Sequence, residues 1–163
     1  MMKRIAGVVL VGALSIGFTG CLGESDSVSC SGETVSELVE EISMPIIKEE
    51  LFIKLLNNKG MANGMLYQSV KAMAEFSDKE INYNDTVKGY DAAKAELEKE
   101  FEKSNFILTD IRTTAKEKEI NKVVCMGKAT VKTPNYTVSY DLEYNAQLGD
   151  KKENVYVEIT RLN

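Results

Sequence analysis

The sequence contains no histidine. No Ser–His or Cys–His nucleophile pair can therefore be built from it. It has no glycine-rich phosphate loop, since neither G-x-G-x-x-G nor a Walker pattern occurs. There is no C-x-x-C pair and there are only three cysteines, so a zinc site has too few ligands to draw on. No metal and no cofactor is expected. Basic side chains are outnumbered, 20 against 25 acidic ones. Nucleic-acid binding needs a basic surface, so no nucleic-acid partner is expected. An anionic membrane would not attract this surface either. The apolar run Ile5 to Phe18 falls short of the ~20 residues that a membrane-spanning helix needs.

What is present begins with that run. Met1 to Arg4 give it a positive start, and Gly17-Phe18-Thr19-Gly20-Cys21 closes it. Leu22 to Ser27 turns polar at once. A charged start, a short apolar core and small residues before a cut describe a secretory signal. The cysteine after Thr-Gly makes the segment resemble the lipobox of bacterial lipoproteins. That resemblance implies a signal peptide over residues 1–20 and cleavage just before Cys21. It also implies a diacylglyceryl group on Cys21 and an acylated new amine, about three chains in all, which is a stable membrane anchor without a span. The other reading of the same residues is a cleaved signal with Cys21 as a bystander. Leu22 stands where Asp would retain an enterobacterial lipoprotein in the inner membrane. The resemblance therefore implies the outer membrane in a cell that has one. Residues 21–29 read as the lipidated cysteine and a short polar tether. Without Lys3 and Arg4 the basic side chains fall to 18 against 25 acidic, a formal charge of −7.

If Cys21 carries lipid, Cys30 and Cys125 remain. An exported chain sits where disulfides persist. A Cys30–Cys125 bridge would close a loop of about 95 residues, worth up to ~4–5 kcal/mol on the chain-entropy model. Two unpaired thiols are the alternative.

Helical spacing starts after Ser31. Thr34 and Glu37 have the capping-box interval, and Val35, Leu38, Val39, Ile42 and Ile46 follow the i, i+3, i+4 rule. Pro45 predicts a break or kink near Ser43. A second helix then runs from about Pro45 to Asn58, stopped by Asn57-Asn58-Lys59-Gly60. Met65 to Phe76 predicts a further helix. Met61, Met65 and Met73 read as core filler, with an adaptable binding surface as the alternative. Ile81 and Tyr83 suggest a short strand. Asp91 to Lys103 is rich in Ala, Leu, Glu and Lys and predicts a helix. Its charges lie on an exposed face, with Ala93, Leu97 and Phe101 opposite.

At Asn105 the period changes to two. Four strands follow, over about 105–116, 121–132, 136–148 and 154–162. The third alternates most clearly, with Tyr136, Val138, Tyr140, Leu142, Tyr144, Ala146 and Leu148 on one face. Short connections imply a meander. The fold class is therefore α+β, a single domain over residues 30–163, with N-terminal helices packed on one face of a four-stranded antiparallel sheet. This element order resembles the cystatin-like and nuclear-transport-factor-like folds. Cys30, Ile111-Arg112-Thr113 and Cys125 also resemble the pattern of small uncharacterised bacterial lipoproteins, which brings no activity with it.

The carboxylate pairs Glu40/Glu41, Glu49/Glu50 and Asp141/Glu143 could do acid–base work, and Asp141, Glu143 and Asn145 could hold a hard cation. Each sits where a solvated face is expected, so no catalytic residue is assigned. Tyr136, Tyr140 and Tyr144 read as core rings. Their alternative is a pocket whose hydroxyls orient a small apolar ligand. The expected function is a lipid-anchored, non-enzymatic envelope module. It would be held to the membrane through Cys21 and would bind a protein partner or serve in an assembly. A small-molecule or lipid carrier is the alternative.

Overall fold

The structure is a computed structural model. It describes residues 27–60, 62–76, 81–149 and 154–163. The signal segment, Cys21, most of the tether and Met61 lie outside the described residues. The elements are α1 (Glu33–Lys59), α2 (Asn63–Ala74), α3 (Tyr90–Phe101), β1 (Asn105–Glu117), β2 (Lys122–Lys132), β3 (Thr137–Leu148) and β4 (Val155–Leu162). The fold class is α+β, as the sequence predicts. The strands form one antiparallel sheet in the order β1-β2-β3-β4. Among the described residues no helix is long and apolar enough to cross a membrane.

The chain divides into two compact units, neither of them a continuous stretch. One takes the described residues up to Ser43, then Phe106–Thr130 and Val138–Asn163. It contains the start of α1 and most of the sheet. The other takes Met44–Asn105 and Val131–Thr137. It contains the rest of α1, α2, α3 and the connection between β2 and β3.

In the sheet unit the period-two pattern is realised. Val123, Cys125 and Ala129 of β2 are buried, as are Tyr140, Leu142, Tyr144 and Ala146 of β3. Cys30 lies before α1, and a disulfide joins it to Cys125 with the Cα atoms 5.7 Å apart. That distance is within the range a bridge requires. The Tyr144 side chain is fully buried, and its hydroxyl donates to the Cys30 carbonyl at 2.7 Å. Two long-range ties thus converge on Cys30.

In the helical unit one apolar cluster gathers Leu51, Phe52, Leu55 and Leu56 of α1, Tyr67 of α2, Val87, and Ala93 and Leu97 of α3. The predicted inner face of α3 is the observed one.

Four expectations are corrected. The break near Ser43 does not occur, and α1 runs through Pro45. Proline in a helix interior costs ~3 kcal/mol or more. Against this stands a row of buried side chains spaced by four: Val35, Val39, Ser43, Ile47, Leu51 and Leu55. Each large aliphatic side chain in it contributes ~1.5–3 kcal/mol, so the helix persists. Second, Tyr83–Asp85 forms a 3-10 turn and no strand, because the Asn82 side chain accepts from the Asn84 N–H at 3.1 Å. Third, Met65 and Met73 are 72% and 68% exposed and fill no core. Fourth, Tyr136 lies in the connection before β3 and packs against the apolar cluster of the helical unit.

Candidate functional site

The site with the most side-chain chemistry lies within the helical unit. Phe52, Tyr67, Tyr83 and Tyr90 come from α1, α2, the 3-10 turn and the first residue of α3. Phe52 meets Tyr67 and Tyr90 edge-on, with centroids 5.0 and 5.4 Å away. Tyr83 and Tyr90 stack at 5.1 Å. Such pairs add ~0.5–1.5 kcal/mol each beyond the area they bury, so the rings hold the three helices and the turn together.

This aromatic block floors an open groove of about 280 Å³, in which Phe52, Tyr67, Tyr90 and Leu97 form the apolar surface. Lys48, Glu49, Lys94 and Glu98 line it as well, so charges of both signs border it. The Lys48 ammonium stands 5.4 Å from the centre of the Phe101 ring, a cation–π contact. Glu49 accepts from the Tyr67 hydroxyl at 3.3 Å and pairs with Lys71 at 2.8 Å. Burial, then the charge of Glu49, raises the Tyr67 pKa far above the ordinary tyrosine value. Burial, then the neighbouring Tyr83, raises that of Tyr90. Both hydroxyls keep their protons at neutral pH. They can donate hydrogen bonds but cannot act as bases. A second recess of about 340 Å³ is lined by Ile81, Asn82, Tyr83, Asn84 and Tyr90. Tyr90 therefore borders both.

The tyrosines singled out in the sequence take other positions. Tyr140 and Tyr144 are buried in the sheet unit, and Tyr136 belongs to the helical unit. Burial pushes the Tyr144 pKa up to about 12, in keeping with its role as a donor to Cys30. Tyr136 donates to Glu96 at 3.5 Å. Neither groove is lined by any of the three. Of the carboxylates considered for catalysis, Asp141 is exposed and Glu50 half-buried. Glu40 and Glu41 are exposed, and Glu49 is engaged as described. Glu143 pairs with Arg161 at 3.1 Å, and Asn145 donates to Glu158 at 3.3 Å. Among the described residues no cluster of acidic or cysteine side chains is placed to hold a metal ion.

Two features escaped the sequence reading. Tyr67, Tyr83 and Tyr90 have no common period, and only the tertiary fold unites them. Glu100 was assigned to a solvated face yet is buried. Its spacing of three from the buried Leu97 was the available signal. No protein-family model, no curated protein and no solved structure matches the chain.

Proposed function

We propose that the chain is a lipid-anchored cell-envelope module that binds a protein partner and carries out no catalysis. The observation behind this reading is the aromatic groove. Its floor is formed by the buried Phe52 and Tyr67 and the half-buried Tyr90, between charges of both signs. An aromatic-floored recess with a polar rim is the kind of surface that receives a partner's anchor side chain. At about 280 Å³, and about 340 Å³ for the neighbouring recess, both stand at the low end of the ~300–1,000 Å³ of small-molecule sites. Both are open, and a groove of that size takes one or two side chains of a partner. The absence of histidine supports a role without proton shuttling. The anchor rests on Cys21 and the segment before it, with outer-membrane placement where the cell has such a membrane.

The test is a photo-crosslinking amino acid at Lys94 in the full, membrane-borne chain. The expected result is one dominant protein adduct, weakened when Lys48→Glu reverses the rim charge. An extracted small apolar ligand and no protein adduct would favour the carrier. In parallel, Cys21→Ser should yield an unprocessed precursor that lacks lipid, and normal processing of that variant refutes the anchor.

A further inference from the structure

Helix α2 has two unlike faces. One is fixed inside the helical unit. Gly64 lies so close to Asn57 that an added Cβ would meet its Oδ1 at 2.7 Å, and its N–H donates to that oxygen at 3.0 Å. Tyr67 is buried and Lys71 pairs with Glu49. The opposite face carries Met65, Leu66, Ser69, Val70 and Met73, continued past the helix end by Phe76. At 100° per residue these six fall within one sector. Met65, Leu66, Met73 and Phe76 are exposed, Phe76 by 93%. The sector holds no charged residue, in a chain of which 28% is charged.

From this we infer that the uncharged face of α2 lies on the lipid surface of the bilayer that carries the anchor. The inference rests on the proposed lipid at Cys21. Two arguments select this occupant. The first is area. A helix of 12 residues is only ~18 Å long and ~10 Å wide. It offers far less than the ~800 Å² per partner of a stable protein interface, so a second copy is not held by it alone. The second is the chain outside the described residues. It ends at Asp26, and from Cys21 to Val28, the first buried residue among the described ones, the chain can reach ~25 Å at most. A domain so tethered meets the bilayer at high effective concentration. Four apolar side chains, too few for a free protein, then suffice to hold a helix at the boundary of headgroups and acyl chains. Lacking charge, the contact is insensitive to salt. Because Tyr67 leaves α2 on the other side, the aromatic groove stays open for a partner.

The chain has no tryptophan, so Phe76→Trp supplies a single reporter. The processed protein carrying it is purified from membranes, reconstituted in phosphatidylcholine vesicles, plain or with brominated acyl chains, and floated. The expected result is co-flotation with loss of most Trp emission in the brominated vesicles. That loss should be unchanged by salt and abolished by Met65→Glu with Met73→Glu. Co-flotation with unquenched Trp overturns the inference and leaves the anchor standing. Failure to float removes both. Quenching that survives the two glutamates overturns the role of this face. Crosslinked dimers with buried but unquenched Trp assign the face to a second copy instead.

Discussion

Both carboxylate oxygens of Glu100 accept hydrogen bonds from the connection between β2 and β3. One takes the Thr133 hydroxyl at 2.5 Å and the Asn135 N–H at 3.0 Å, and the other takes the Asn135 side-chain amide at 2.5 Å. The Thr133 hydrogen bond, with those from Asn135, outweighs the effect of burial and holds the Glu100 pKa below the ordinary glutamate value. A carboxylate with a depressed folded pKa stabilises the protein above its unfolded pKa. It loses that contribution as pH falls through the folded value. Denaturant titrations from about pH 7 to about pH 3 should therefore show a loss of stability on the acid side. Glu100→Gln should be less stable at neutral pH and show a shallower acid decline. An identical decline in both proteins would mean that Glu100 contributes nothing. A buried acid on a charged helix was hard to read from sequence, because composition marks every charged residue from Glu96 to Lys103 as solvated. Only the donors supplied by Thr133 and Asn135, over thirty positions away in sequence, make its burial tolerable.

At the scale of elements, local pattern and tertiary context separate cleanly. All four strands appear within one residue of their predicted ends, because alternation and short turns are local signals. α3 was legible for a similar reason, its residues being good helix formers with one apolar face. α1 was not, because the local rule for proline opposes a long-range gain, burial of a continuous row. The compromise leaves a mark at Ser43, fully buried, whose Oγ has no hydrogen-bond partner among the described residues. A buried unpaired hydroxyl costs ~1–3 kcal/mol, and alanine is also the better helix former by a few tenths. Ser43→Ala is therefore expected to raise the unfolding free energy by about 1–2 kcal/mol, measured by urea denaturation. A loss of stability would show that the hydroxyl has a partner and would undo this account of the helix. α2 was legible as a helix but not in its orientation. Sequence patterning takes an apolar face to point inward, whereas here Gly64 and Tyr67 face in and Met65 and Met73 face out.

For the whole molecule, address and fold meet at one bond. Cys30 and Cys125 are 95 positions apart, and the chain-entropy model gives a loop of that length ~4–5 kcal/mol. A domain's whole stability is only ~5–15 kcal/mol, so this contribution is a large part of it. The bond also needs an oxidising compartment. The proposed signal over residues 1–20 would supply that compartment, which makes the disulfide a reporter of export. Removing residues 1–20 should keep the chain in the cytosol with Cys30 and Cys125 reduced. Thiol labelling under denaturing conditions without reductant should then mark both, together with the unlipidated Cys21. In the processed, exported protein it should mark neither. The reduced form should unfold at ~2–5 kcal/mol lower free energy than the oxidised one. It should still fold, since Tyr144 ties β3 to the Cys30 carbonyl without the sulfur. Labelled thiols in the exported protein would refute the bridge. A bridge formed equally well without the leader would sever it from export, and the case for the envelope would then rest on Cys21 alone.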